Sequence, residues 1–217
     1  MSRGTDGPGL GVSAGVVSFL GVILSVLFRT SRLGPLDFWW GMTLAVSLPT
    51  ALSLGVDRGY AGRLSEDVAR GFLKKVGLGL LSAAVLYGVF AAGHAYSLKI
   101  FPFAGKGIES VYALKSGAGS LRIVILLALV IGPGEELLWR GFLQENLQKR
   151  LGRLAGLAVT ATLYTAVHLA SGNVMLILAA AVCGIFWGWL YLAYRSPLLN
   201  AVSHTVWDLL VFVLFPL

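Results

Sequence analysis

The chain has 217 residues, 57% of them hydrophobic and only 12% charged, about half the charge that a water-facing surface carries, which excludes an ordinary soluble domain. Its one cysteine, Cys183, allows neither an internal disulfide nor a thiolate metal site. The excess of 17 Lys and Arg over 10 Asp and Glu, +7 in all, is interleaved with apolar runs and so points to anionic lipid headgroups and not to nucleic acid.

A helix crosses a bilayer with about 20 apolar residues, the working range being roughly 17–25. Seven segments meet this in chain order: Leu10 to Phe28, Phe38 to Leu54, Val76 to Leu98, Leu121 to about Gln144, Leu154 to Ala170, Val174 to Tyr194 and Pro197 to Leu217. None shows the period-two alternation of a barrel strand. The expectation is an all-α, single-domain, polytopic transmembrane bundle of about seven helices, without repeats. The first run is long for a signal peptide and is followed by Phe28-Arg29-Thr30-Ser31-Arg32, not by small cleavage-site residues, so it is read as a retained helix. Two connections are long enough to hold structure. Val56 to Lys75 reads as a short amphipathic helix on the headgroups. Ser97 to Ser120, with four glycines at 105, 107, 117 and 119, reads as a flexible loop or a cap over a cavity mouth.

Counting Lys and Arg on alternate sides gives Arg3, Arg58, Arg63, Arg70, Lys74, Lys75, Lys149, Arg150, Arg153 and Arg195 on one face and Arg29, Arg32, Lys99, Lys106, Lys115 and Arg122 on the other. Ten against six places the N-terminus in the cytoplasm and the C-terminus outside. The expected setting is the inner membrane of a prokaryotic cell.

Charge inside the bilayer is costly, so ionisable residues in apolar segments face the protein interior and mark function. Here they concentrate in the C-terminal half: Glu135, Glu136 and Arg140 in the fourth segment, His168 in the fifth, His204 and Asp208 in the seventh. His94, near a segment end, reads as interfacial. Ile131-Gly132-Pro133-Gly134 should break or kink the fourth helix just before the acidic pair. Glu136 and Arg140, four apart, share a helix face and read as a structural pair, which leaves Glu135, about 100° round the helix, free for chemistry. Tyr164 and His168 repeat the spacing, as do His204 and Asp208, so three helices present polar stripes to one cavity. Tyr164 reads as packing or a hydrogen-bond partner of the imidazole, and Asn200 as a residue that satisfies backbone.

Glu135-Glu136-Leu137-Leu138-Trp139-Arg140 resembles the E-E-x-x-x-R motif of the CAAX-protease and bacteriocin-processing family of intramembrane proteases. Tyr164 to His168 is similar to its F-x-x-x-H motif, and His204 to Asp208 to its H-x-x-x-N/D motif; the order is the family's, over about residues 121–217. The resemblance implies a glutamic intramembrane endopeptidase without a cofactor or metal. Glu135 and His168 would activate water, His204 and Asp208 would stabilise the oxyanion, and Glu136, Arg140, Tyr164 and Asn200 would support them. It also implies a membrane-anchored or lipidated protein or peptide as substrate, with the bilayer itself as the other partner. Tyr164 replaces the common Phe. Asp208 stands where prenyl endopeptidases carry Asn, so either it donates as a neutral acid or it orients His204. The segment boundaries set His204 near one membrane face and His168 near the other. Three other readings compete: a zinc protease using His168, His204 and a carboxylate, though H-E-x-x-H is absent; a non-catalytic chaperone or immunity protein on the same scaffold; and a proton-coupled transporter, disfavoured by the absence of inverted repeats.

Overall fold

The computed structural model describes residues 8–217; Arg3, counted above, lies outside them. Nine helices and one two-stranded hairpin make up the described residues. They are α1 (Leu10–Thr30), α2 (Phe38–Val56), α3 (Tyr60–Ala69), α4 (Phe72–Ile100), α5 (Ala104–Ala113), α6 (120–151), α7 (Arg153–Ser171, its last turn 3₁₀), α8 (Val174–Tyr194) and α9 (Pro197–Leu214). Six of them, all but α3, α5 and α6, are long and apolar enough to cross a membrane. The expected seventh crossing, α6, carries the three charges and is sheathed by the others: every residue from Leu138 to Gln148 is buried. It runs the full height of the bundle all the same, from the Arg122–Asp37 ion pair (2.7 Å) at one end to the Lys149–Glu145 pair (3.3 Å) at the other. The protein is an all-α integral membrane bundle with α6 as its axis.

Of the break or kink expected at Pro133, the break is absent. The backbone stays helical at Gly132 (φ −56°, ψ −53°), and the strain is taken up by widened turns on both sides, at Leu127–Ile131 and Leu137–Gln144. There the Gly132 N–H reaches back five residues to the Leu127 carbonyl, and the Glu145 N–H to that of Arg140. A wider turn gives the proline ring the room that an ordinary α-turn denies it. The missing side chains at Gly132 and Gly156 are equally structural. A Cβ at Gly132 would stand 3.2 Å from Thr205 Cα on α9, and one at Gly156 only 2.7 Å from Gln148 Cα on α6. Close backbone approach of this kind is how membrane helices gain packing energy.

Both long connections are ordered. α3 is the expected amphipathic helix; its Tyr60 is fully buried and donates to the Leu137 carbonyl at 2.5 Å, in the widened turn of α6. Asp67 pairs with Lys75 (2.6 Å) and accepts from the Leu198 N–H (2.9 Å), tying the start of α9 to α3. The 97–120 connection, read as a flexible loop or a cap over a cavity mouth, contains α5, and its Val111 and Leu114 line the cavity described below, as a cap would. Its polar ends are the reason: Tyr112 donates to the Val211 carbonyl (2.9 Å) and Lys115 to that of Phe212 (2.9 Å). The hairpin between α1 and α2 (Arg32–Leu33 with Leu36–Asp37) ends in Asp37, which caps α2 by accepting from the Trp39 and Trp40 N–H groups at 3.1 Å.

Against a desolvation effect that raises it, the Trp40 N–H and the Arg122 guanidinium hold the Asp37 carboxyl below its ordinary range. A depressed carboxylate contributes stability that is present above the unfolded-state value, near 3.9, and lost as pH falls through the folded-state value. The unfolding midpoint of the wild type should therefore exceed that of Asp37→Asn at about pH 6, and the gap should close below about pH 3.

Candidate functional site

Three helices carry the polar residues, and α8 closes the set. Glu136 and Arg140 on α6 are fully buried and joined at 2.8 Å. The guanidinium also donates to the Cys183 and Gly184 carbonyls of α8 (3.4 Å each) and lies over the rings of Tyr164 (4.8 Å) and Trp187 (5.5 Å). This is the expected structural pair, with more partners than spacing suggests. Glu136 Oε1 also meets His204 Nδ1 of α9 at 2.8 Å, and Oε2 accepts from the Asn200 amide at 3.2 Å. Asn200 in turn donates to the Trp187 carbonyl (2.8 Å), which is its expected backbone role. One carboxylate thus gathers α6, α9 and, through Arg140, α8. An inter-helix partner leaves no trace in i,i+4 spacing, so the Glu136–His204 contact had no sequence signal.

Glu135 is placed differently. It is 6% exposed, and Oε2 accepts from the Tyr164 hydroxyl at 2.9 Å. The sequence paired Tyr164 with the imidazole; here its hydroxyl reaches across to α6 and its ring alone packs on His168 (centroids 5.1 Å). Asp57, Glu136, Glu145 and Asp208, the other buried carboxylates of the described residues, each have a basic group within 4 Å, whereas Glu135 has none.

His168 closes α7. Its Nδ1 meets the Tyr164 carbonyl at 2.8 Å, which makes Nδ1 the donor and leaves Nε2 as the free acceptor. The ring is flanked by Phe28 of α1 (5.4 Å). No direct hydrogen bond joins His168 to Glu135; both line one cavity of about 130 Å³, together with Tyr164, His204, Asp208 and Cys183. Much of the remaining lining is apolar, from Phe28, Trp39, Val111, Leu114, Leu176 and Phe212. His204 is stacked on Trp187 (3.7 Å, 23°), and its Nε2 lies 3.6 Å from Asp208 Oδ2, beyond hydrogen-bond length. The conflict between the heights of His168 and His204 is resolved by where α9 starts. Pro197 packs on Gly141, inside the bundle and not at its end, so seven residues of α9 bring His204 level with Glu136, five residues back along α6.

A water between Glu135 and His168 would meet a carboxylate acceptor on one side and an imidazole acceptor on the other, with the His204 and Asp208 pair on the wall formed by α9. Among the described residues, no group of three or more His, Cys, Asp or Glu side chains is arranged to hold a metal ion.

Residues 117–210 match the family model described as type II CAAX prenyl endopeptidase Rce1-like. No curated protein and no solved structure matches the chain.

Proposed function

Because residues 117–210 match the type II CAAX prenyl endopeptidase Rce1-like family model, we propose that the chain belongs to that family and hydrolyses a peptide bond of a membrane-anchored or lipidated protein or peptide, using Glu135 as the base that activates water. The observation that carries this reading is the contrast between the two adjacent glutamates. Glu136 is spent on Arg140, His204 and Asn200. Glu135 faces the cavity with a hydroxyl as its hydrogen-bond partner and retains an oxygen for water. Glu135 takes a proton as the water attacks the carbonyl carbon and later passes it to the leaving amine. His168 holds the same water through Nε2. His204 stands on the oxyanion side, its Nδ1 held by Glu136 and its Nε2, not hydrogen-bonded to Asp208, left to donate to the oxyanion, with the Asp208 carboxyl 3.6 Å away acting on the ring through its charge. The test is cleavage of a lipidated peptide by the protein in proteoliposomes, with the Glu135 and His168 variants compared.

Tyr164→Phe removes the hydrogen-bond donor on Glu135 and nothing from the core. The expected result is a kcat roughly 10- to 100-fold lower with KM little changed, about the worth of one hydrogen bond to a charged group. An unchanged kcat would mean that Glu135 is positioned without the hydroxyl.

Asp208→Asn separates the two roles open to Asp208. If Asp208 acts on His204 as a nearby charge, 3.6 Å from Nε2, activity should fall and the pH optimum move, because the amide lacks the charge that favours imidazolium. A pH–rate profile that equals or exceeds the wild type at alkaline pH would assign the residue as a neutral donor instead, since an amide donates at every pH. Exhaustive chelation is expected to leave cleavage at the untreated rate; loss of activity restored by zinc would favour the zinc-protease alternative.

A further inference from the structure

The resting cavity is too small for the reaction proposed above, on which this inference rests. About 130 Å³ holds roughly four waters, not an extended peptide with side chains on both sides of a scissile bond. Something at the mouth has to move. Most of its walls belong to long helices packed along the bundle, but Val111 and Leu114 belong to α5 and the turn that follows it. Only Ala104 of the ten α5 residues is buried, which marks it as the least anchored wall. Glycines flank its C-terminal side at 117 (φ +79°) and 119, and Pro102 stands just ahead of it.

What holds α5 down is a small set of polar tethers. The last turn of α9 is wide, with the Phe215 N–H bonded to Leu210, so the carbonyls of Val211 and Phe212 are open to outside donors. Tyr112 and Lys115 take them, as noted above, and the Leu217 N–H donates to the Tyr112 hydroxyl at 3.0 Å. At the other end Asn173, in the turn between α7 and α8, donates to the Gly107 carbonyl and to Ser110 Oγ, both at 2.8 Å. We infer that α5 is a lid, latched by Tyr112 and Lys115 to the end of α9, by Asn173 to the start of α8 and, through the Trp39 indole N–H on the Leu114 carbonyl (3.0 Å), to α2, and that substrate reaches the cavity only when these latches open.

The single cysteine is a built-in reporter, because Cys183 is buried and lines the cavity beneath the lid. Its alkylation by N-ethylmaleimide in the full-length protein in detergent measures opening without any use of peptidase activity. Tyr112→Phe combined with Asn173→Ala removes latches at both ends, and alkylation should accelerate about tenfold or more over the wild type. The converse variant closes the lid. A Cβ at Gly107 would stand 3.3 Å from Met175 Cβ, close to the roughly 3.5–4.5 Å of a disulfide. Gly107→Cys with Met175→Cys, once oxidised, should cleave peptide and expose Cys183 at least about tenfold more slowly than its reduced form, with recovery on adding dithiothreitol. Alkylation unchanged in the latch variant overturns the lid, whatever the cleavage result. So does equal Cys183 alkylation in the oxidised and reduced forms. A faster-alkylated latch variant with no detectable cleavage in any form would leave the lid standing and count against the peptidase reading alone.

Discussion

Glu135→Gln should reduce peptide cleavage by about 10²–10⁴-fold, the range for loss of a positioned general base, while the protein stays folded. Glutamine keeps the volume of the side chain, and its carbonyl can still accept from the Tyr164 hydroxyl, so the contact at 2.9 Å survives. No cation is stranded, because Glu135 has no basic partner within 4 Å. What disappears is the ability to take the proton of water. The unfolding midpoint in detergent should therefore stay near the wild-type value while turnover collapses. A purified variant that cleaves at a near wild-type rate would remove Glu135 from the chemistry. His168→Ala should follow it in activity, since the imidazole holds the other side of the same water; equal activity of the wild type and the His168 variant would break the pair.

Glu136→Gln, one residue along, should fail for the opposite reason. Its carboxylate carries Arg140 and His204 on Oε1 and Asn200 on Oε2. If the glutamine keeps its carbonyl toward the first two, its NH₂ faces the Asn200 NH₂, donor against donor. If it turns round, Arg140 and His204 lose their acceptor. Either way a guanidinium that is 0% exposed is left without its counter-charge, and breaking a buried pair from one side costs about 3–5 kcal/mol. The expected result is a large drop in unfolding midpoint and in the yield of folded protein, with activity lost as a consequence. Glu136→Gln combined with Arg140→Met, which removes both charges, should recover a substantial part of the stability, as replacing both members of a buried pair with apolar groups commonly does. A single Glu136→Gln variant as stable as the wild type would show that Arg140 is held by its carbonyl and ring contacts and does not need the carboxylate.

These two adjacent glutamates also show how far the sequence alone could go. Apolar runs of membrane length determined the class of fold, because a bilayer accepts only helices whose backbone groups are satisfied internally; six of the seven runs are helices long and apolar enough to cross, and the seventh is the sheathed α6. The polar stripes at i,i+4 on three segments determined which residues meet, because charge inside a membrane has nowhere to go but the protein interior. The division between Glu135 and Glu136 was legible for the same geometric reason: Arg140 lies on the face of one and not of the other. The bond from Glu136 to His204 was not legible. It depends on the height at which α9 enters the bundle, which is set where Pro197 meets Gly141 and Leu198 meets Asp67; those partners lie far off in the chain, and the α9 segment read by itself does not reveal them. That Pro133 leaves α6 unbroken was not legible, because a local rule weighs a proline against an ordinary α-turn, whereas α6 adopts widened turns that keep the helix whole. Whether the 97–120 segment is a flexible loop or a cap stayed open in the sequence because its glycines are local and its restraints are not: Val211, Phe212, Asn173 and Trp39 hold it from distant parts of the chain. Composition and periodicity are properties of single segments, and they determined what each segment is. The relative height and the contacts of segments belong to the assembled bundle, and only the tertiary structure decided them.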